Sequence, residues 1–406
     1  MTGRCRFTYE SDARWHRYDG GSLPASTNPP VDLPPLYPGH LAFQVRVGFN
    51  APDEGASALP DYNEMITAIG ATGDNVRYLG NVRRLFSSTT TTASELRSML
   101  AKCDARNQLP VITFKVNNEF DQVAMGNRDS WITPIITVAK ERRVANGGNG
   151  KPFLISFHHE PNGNGPTGMT LIEQLTWWGR MQFYSLNYTT GWKSRGYTNV
   201  GGTYDANDDV RDIAVWAPIA NGFWWGTKFP HDDRIAAAFP PDFIDAMNDR
   251  GGPIMADHYD PTLKNMTISY DSNNYRIESS FVYASNYDRS WRQIEKMCAW
   301  ARANGVKAVG AGEVGNTNQA NYQLNIDVVM ANRDVFTIWL AFNNFQNSAW
   351  DWRMIPVGWG LTNGLNPTQS GSGWTLPDYG GDPLSAAYIT KYKNLVDRSL
   401  SETTPF

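Results

Sequence analysis

The chain has 406 residues, of which 41% are hydrophobic and 19% are charged. This length and apolar content are sufficient for one large domain or two ordinary domains with a buried core. Lysine and arginine total 36 against 40 aspartate and glutamate residues, a formal net charge of -4. The composition therefore lacks the basic surface that a nucleic acid or an anionic membrane requires, and a neutral partner is more natural.

Residues 1–39 are predicted to form an irregular arm, because prolines recur from Pro24 to Pro38. The opening, MTGRCRFTYESDARWHRYDGG, has neither an apolar segment nor a small-residue cleavage site of the kind found in signal peptides. No run of about 18 apolar residues follows anywhere in the chain. We therefore expect no membrane association and no encoded secretory route.

From residue 40 onward, apolar runs typical of strands alternate with amphipathic segments typical of helices. The predicted strands are residues 40–49, 75–80, 110–116, 153–160, 211–219, 252–259, 306–313 and 335–342. The predicted helices are residues 62–71, 92–107, 131–146, 170–188, 241–251, 290–305, 318–333 and 385–400. Eight strands, each followed by a helix, predict an α/β fold, a (β/α)8 TIM barrel over residues 40–406, with a long Trp-rich loop after strand eight.

The alternative architecture is a doubly wound open sheet. Such a sheet normally carries a glycine-rich phosphate-binding turn after its first strand. Here the first predicted strand is followed by NAPDEGASALPDY, which contains no G-x-G-x-x-G motif. The sequence therefore favours the barrel.

Two glutamates stand at the ends of predicted strands, where a TIM barrel carries its catalytic groups. Strand four, FLISFHHE, ends in Glu160, and strand seven, VKAVGAGE, ends in Glu313. Retaining glycoside hydrolysis requires two carboxyl groups about 5–5.5 Å apart, one protonated to assist the leaving oxygen and one ionised to attack the anomeric carbon. Burial and neighbouring groups would have to separate their pKa values.

This arrangement resembles the clan A glycoside hydrolases, which carry an acid/base glutamate after strand four and a nucleophile after strand seven. His159 and Glu160, followed by Asn162 and Gly163, are most similar to glycoside hydrolase family 26, whose members are mainly endo-β-mannanases. The resemblance covers the order of elements over roughly residues 40–400. Pro161 departs from this pattern and matches other clan A families, and the doubled histidine has no counterpart in it.

The resemblance implies a role for each matched residue. Glu160 would be the general acid/base, and Glu313, in GAGEVGN, the nucleophile. His159 would position a sugar hydroxyl and the carboxyl group, and the hydroxyl of Tyr259 would hold the nucleophile. We also take His158 and Asn162 as candidates for substrate binding.

Each of these residues also has a structural interpretation. Glu160 could be a solvated carboxylate at a strand end, and the glycines around Glu313 could serve packing alone. His158 and His159 alternate along a strand, so one should face the barrel centre and the other a neighbouring layer. Because adjacent strand residues diverge, we expect no metal site at His158, His159 and Glu160, and no cofactor.

Tryptophan and tyrosine next to polar residues are typical of surfaces on which flat ligands stack. Trp224 and Trp225 follow predicted strand five, Trp339 lies in strand eight, and four further tryptophans lie in the loop 345–384. Long loops without secondary structure are uncommon unless they are functional. We predict that these rings stack on sugars; the alternative is a self-packed aromatic cap on the barrel.

Two functions follow from these features. The first is a retaining, endo-acting glycoside hydrolase for a neutral β-linked polysaccharide, mannan-like or from a cell envelope. The second is a catalytically silent, glycosidase-like barrel that binds carbohydrate or serves as a structural phage-tail protein. The missing leader would be explained if the protein were a virion component that acts on extracellular or envelope polysaccharide, with the arm bound to other virion subunits. Removal of a leader would explain it equally well.

Overall fold

The computed structural model describes residues 6–9, 15–18, 43–50, 78, 81–87, 92–145, 150–192, 203–226, 231–259, 269–270, 276–277, 289–315, 319–342, 345–347, 350–351, 368–370, 373–375 and 383–402. Predicted helix 62–71 lies outside the described residues, as do most of the arm and most of the loop 345–384. Within the arm, Arg6–Tyr9 pairs antiparallel with Trp15–Tyr18. Binding of the arm to virion subunits stays a prediction.

Eight parallel strands form the central sheet of the described structure. They are β1 (Arg46–Asn50), β2 (Val82–Ser87), β3 (Leu109–Phe114), β4 (Phe153–Phe157), β5 (Ala214–Trp216 with Ile219–Asn221), β6 (Ile254–Tyr259), β7 (Val309–Gly315) and β8 (Phe336–Phe342). The first half of β5 pairs with β4 and its second half pairs with β6, while β8 pairs with β1. Because only Ala217 and Pro218 separate the two halves of β5, the sheet closes on itself, which confirms the TIM barrel.

Helices alternate with these strands along the chain. They are α1 (Ala93–Asp104), α2 (Phe120–Ala124), α3 (Asp129–Ala145), α4 (Leu171–Thr189), α5 (Asp232–Ala238), α6 (Pro241–Arg250), α7 (Ser290–Ala303), α8 (Gln319–Ala331) and α9 (Pro383–Ser401). The seven predicted helices within the described residues end within three residues of their predicted bounds. Local signals fix some of these ends: α4 begins with a capping box in which Thr170 and Glu173 each accept a hydrogen bond from the other's backbone N–H.

Side chains alternate along each strand between the barrel interior and the helix layer. A compact apolar cluster fills the interior with residues Val82, Leu109, Val111, Leu154, Val215, Ala217, Ile219, Met255, Ile338 and Leu340. The intervening strand residues pack with the helices in the larger core. This alternation decides which polar residues near the strand ends point into the barrel.

The second strand is not the predicted one. The prediction selected 75–80, of which only Tyr78 is described, whereas the strand runs over VRRLFS at Val82–Ser87. Two arginines make this segment look unlike a buried strand. Arg84 is nevertheless fully buried, because a carboxylate on β6 pairs with it.

Among the described residues, no helix combines the length and the apolar character needed to cross a bilayer.

Candidate active site

Four buried polar side chains lie near the carboxyl ends of the barrel strands, above the apolar interior. They are Asn50 of β1, Arg84 of β2, Asp257 of β6 and Glu313 of β7, and none is more than 4% exposed. Glu160 lies just beyond the end of β4. In a TIM barrel this rim is where catalytic groups lie, so we take the cluster as the candidate active site.

Glu313 is held at both carboxylate oxygens. Asn50 donates from Nδ2 to Oε1 over 2.7 Å, and the Tyr259 hydroxyl donates to Oε2. A guanidinium nitrogen of Arg84 lies 3.3 Å from Oε1. This set of donors fixes the orientation of the carboxylate and matches its ionised form, because both oxygens already accept hydrogen bonds.

Arg84 and Asp257 form a buried ion pair beside Glu313. The two guanidinium nitrogens lie 2.7 Å and 3.3 Å from the two carboxylate oxygens of Asp257, a bidentate arrangement. Arg84 therefore connects two of the site's carboxylates, and it was not among the residues selected from the sequence.

The chain leaves the extended conformation where β4 ends. His158 has φ 44° and Glu160 has φ 52°, values that are uncommon for residues other than glycine. The Glu160 N–H still donates to the Ile219 carbonyl of β5 over 3.2 Å. As a result, a ring nitrogen of His159 and one carboxylate oxygen each of Glu160 and Asp257 lie within 4.8 Å of one another. The expectation that adjacent residues diverge is wrong here, because it assumed a strand that continues to residue 160.

The carboxyl groups of the site have raised pKa values. Burial raises the pKa of Glu160 to about 8, with a further increase from Asp257 and an opposing effect of Arg84. Burial, Asp257 and Glu160 together raise the pKa of Glu313 well above its ordinary value, against the opposing effects of Arg84 and the hydrogen bond from Asn50. The Glu160 carboxyl group receives no hydrogen bond from the described residues, whereas the Glu313 carboxyl group has donors at both oxygens, so a shared proton is better placed on Glu160.

The two histidines differ in environment. His158 is buried, its ring lies edge-on to Phe120, and its backbone carbonyl accepts from Trp178 Nε1 over 2.7 Å. Burial lowers the pKa of His158 to about 4, against a backbone hydrogen bond to Val116 that raises it. His158 therefore joins the loop after β3 to the end of β4, which corrects its selection as a substrate contact.

His159 lies next to Glu160 and Asp257 in the site. Its ring centroid is 5.1 Å from that of Phe86. Burial and the positive charge of Arg84 lower the pKa of His159 well below its ordinary value, so the ring is neutral at neutral pH. A neutral imidazole donates one hydrogen bond at one ring nitrogen and accepts one at the other, which suits a group that positions sugar hydroxyls.

The three selected tryptophans belong to the core. Trp224 and Trp225 are 1% and 3% exposed and pack with Trp178, Phe239 and Trp300. Trp339 is fully buried and meets Tyr322 of α8 edge-on, because its neighbours Ile338 and Leu340 take the interior positions of β8. The expectation that these rings stack on sugars is corrected: they form the aromatic packing that was the alternative.

Other residues at the mouth offer surface to a ligand. Asn162 is exposed in the turn after Glu160, and its binding of substrate stays a prediction. Phe86, at the end of β2, is 42% exposed and lies over the Arg84 guanidinium, 4.6 Å from the ring centroid. Asn221 pairs in register with Asp257, and its buried Oδ1 has no hydrogen-bond partner among the described residues.

The site residues that the sequence analysis did not select are Asn50, Arg84, Phe86, Asn221 and Asp257. Asn50 and Asn221 directly end strands β1 and β5, the signal already used for Glu160. Arg84 and Phe86 depended on locating the second strand correctly. A strict search of every strand end for polar residues would have found the two asparagines.

Because Gly312 has no side chain, the Arg84–Asp257 ion pair can pack directly against its backbone. A Cβ at this position would lie 2.6 Å from Asp257 Oδ1 and 2.7 Å from an Arg84 guanidinium nitrogen. We expect Gly312→Ala to separate the pair and to lower both turnover and the melting temperature, because overpacking a core costs about 1–3 kcal/mol. The measurements are thermal unfolding and turnover on the responding substrate.

The matched control is Gly310→Ala, on the same strand and the same face, where an added Cβ would meet only Ile338 and Met255 at 3.1 Å or more. Equal turnover in the two variants would contradict a specific role for the ion pair.

No protein-family profile matches the sequence, and no curated protein sequence matches it either. Several solved structures resemble its backbone. The catalytic domain of a glycoside hydrolase family 26 endo-β-1,4-mannanase from Bacillus sp. JAMB-750 is 12% identical, with a TM-score of 0.47 over 87% of this chain and 86% of that one. A glycoside hydrolase family 5 xyloglucanase from Bacteroides ovatus is 10% identical, with a TM-score of 0.45 over 98% of this chain and 87% of that one. An endo-β-1,4-glucanase from Xanthomonas axonopodis pv. citri is 12% identical, with a TM-score of 0.42 over 87% of this chain and 100% of that one.

Proposed function

We propose that the protein is a retaining, endo-acting glycoside hydrolase that cleaves a neutral β-linked polysaccharide. The observation that carries the proposal is that two glutamates of one site, Glu313 buried and Glu160 half-buried, differ in the number of hydrogen bonds that their carboxyl groups receive. Glu313 has donors at both oxygens, whereas Glu160 has none from the described residues and a pKa raised to about 8. One ionised and one protonated carboxyl group at a barrel mouth are what this reaction needs.

In the first step, a Glu313 oxygen attacks the anomeric carbon while Glu160 gives its proton to the departing glycosidic oxygen. The glycosidic bond breaks as an ester bond forms between the sugar and Glu313. Glu160, now ionised, then takes a proton from a water molecule that attacks the anomeric carbon and releases Glu313. Arg84, Asn50 and Tyr259 keep the nucleophile oriented, and they stabilise its charge when it leaves the sugar.

The substrate class is supported by charge and by the mouth. The chain has a formal net charge of -4 over 406 residues, which gives no strong attraction to a polyanion. The mouth offers an exposed aromatic ring at Phe86 and an exposed amide group at Asn162, groups that suit uncharged sugar rings and hydroxyls. Within this class we propose a mannan-like polysaccharide or a neutral cell-envelope glycan.

Phe86 is the residue that we expect to bind a sugar ring next to the cleavage position. Replacing it by alanine should raise KM about fivefold, because an aromatic contact contributes about 1 kcal/mol and 1.4 kcal/mol corresponds to a factor of ten. Phe86→Tyr, which retains the ring, should keep KM near that of the wild type. Steady-state kinetics on a soluble oligosaccharide measure both.

Leu324→Ala serves as the control, since Leu324 is an exposed apolar residue on α8. An unchanged KM in Phe86→Ala, or an equal change in Leu324→Ala, would remove Phe86 from the substrate site.

The proposed function is tested by release of reducing sugar from a panel of mannans, glucans, xylans, galactans and envelope glycans. We expect hydrolysis of at least one neutral β-linked member and retention of anomeric configuration, read by NMR of the first product. Activity that survives both Glu160→Gln and Glu313→Gln would contradict the site. Binding of a panel member without hydrolysis would favour the silent barrel.

A further inference from the structure

His159, Glu160 and Asp257 form a cluster of the ligand types that bind transition metals. We infer that they bind one Zn²⁺ ion, and that the bound ion inhibits the enzyme by occupying Glu160. The inhibition rests on the proposed function, whereas the binding does not. The ion is an inhibitor in this inference and takes no part in catalysis.

The geometry is close to that of a zinc site. The three ligand atoms lie within 4.8 Å of one another. Zinc binds imidazole nitrogen and carboxylate oxygen at about 2.0–2.2 Å, so in tetrahedral geometry its ligand atoms are about 3.4 Å apart. Small side-chain rotations would bring all three atoms into the first coordination sphere. Three protein ligands leave a fourth position for water.

The ligands are available to a metal. Nδ1 of His159 is buried and has no hydrogen-bond partner among the described residues. The carboxyl group of Glu160 likewise receives no hydrogen bond from the described residues. Asp257 is shared with Arg84, but a carboxylate can accept a bidentate arginine and still present a lone pair to a metal, and such an outer partner fixes its orientation.

The charge of the site favours a divalent cation. Within the described part of the chain, the buried cluster contains Glu160, Asp257 and Glu313 against the single guanidinium of Arg84. Zinc would displace the proton of Glu160 on binding, so that all four groups are then ionised and two negative charges are in excess. One divalent cation would neutralise this excess, while the proximity of Arg84 should keep the affinity moderate.

The types of ligand atom in the cluster favour Zn²⁺ over Mg²⁺. One imidazole and two carboxylates suit Zn²⁺ in tetrahedral geometry. Mg²⁺ prefers six oxygen ligands and keeps much of its water, so it should bind poorly. A Glu160 carboxylate bound to Zn²⁺ cannot carry the proton for the leaving oxygen, so we expect reversible inhibition that chelators relieve.

The experiment is calorimetric titration of the chelator-treated full chain with ZnCl₂ and, separately, with MgCl₂. We expect one Zn²⁺ per chain with micromolar affinity and no measurable Mg²⁺ binding. His159→Gln should weaken zinc binding by at least about tenfold. His231→Gln, which removes a histidine outside the site, should leave it unchanged.

A crystal of the wild-type protein soaked in ZnCl₂ gives a readout that does not depend on any variant. An anomalous peak between His159, Glu160 and Asp257 is expected, and its absence at saturating zinc would overturn the site. Zinc bound there without inhibition of hydrolysis, or with activation, would overturn the inhibitory role. If no panel polysaccharide is hydrolysed, the proposed function fails, and calorimetry and the anomalous map still decide the metal site.

Discussion

Glu313→Gln is expected to lower polysaccharide hydrolysis by roughly 10⁴- to 10⁶-fold, the range found when the nucleophile of a covalent mechanism is removed. The amide has nearly the shape of the carboxylate, and it can still accept from Tyr259. It cannot, however, form the glycosyl ester. The measurement is kcat on the responding polysaccharide, with circular dichroism and thermal unfolding to establish that the fold is intact.

Glu295→Gln is the matched control. Glu295 is exposed on α7, so its substitution removes the same charge at a position outside the site. A Glu313→Gln variant that keeps more than about a tenth of wild-type kcat would show that another group attacks the sugar. Labelling by a fluorinated glycoside that traps the intermediate should place the adduct on Glu313, and an adduct on Asp257 would reassign the nucleophile.

Glu160→Gln is expected to slow polysaccharide hydrolysis by roughly 10²- to 10⁴-fold, the usual contribution of a general acid. An aryl glycoside whose leaving group needs no proton should react with the variant at close to the wild-type rate in the first step. Because the pKa of Glu160 is raised to about 8, wild-type kcat/KM should fall above that pH. That alkaline limb should be absent in Glu160→Gln, and a limb that persists unchanged would assign the proton to another group.

The raised pKa of Glu160 also predicts a pH-dependent stability difference. The unfolded carboxyl group has a pKa near 4.5 and the folded one about 8, so between these values the folded state binds the proton and the unfolded state does not. The free energy of unfolding should therefore fall as pH rises through this window. Glu160→Gln removes this penalty and should be more stable than the wild type at pH 8, by on the order of a few kcal/mol, but not at pH 4. Urea unfolding at the two pH values measures the difference.

The sequence predicted the barrel because burial pattern and helix ends are local properties. A parallel barrel strand is apolar on both faces, and each surrounding helix carries one apolar stripe, so both leave a readable period in the chain. The second strand escaped because two arginines interrupt its apolar pattern, and Arg84 is compatible with burial through its ion pair with Asp257, far away in sequence. Such a compensation cannot be read from the segment itself.

For the site, the sequence selected Glu160 and Glu313, since each ends an apolar strand, and the family resemblance added Tyr259. Tertiary structure decided their chemistry. The direction in which a strand-end side chain points depends on the alternation of the strand and on the turn at His158 and Glu160. The alternation places Trp339 outside the substrate site. The turn places His158 outside that site as well and brings His159 beside Asp257. The unequal environments of the two glutamates also arise from long-range contacts, with Asn50 and Arg84 reaching Glu313 across the barrel. Residue types near a strand end can be read from the chain, whereas a pKa depends on which charges and donors the closed barrel brings within a few ångströms.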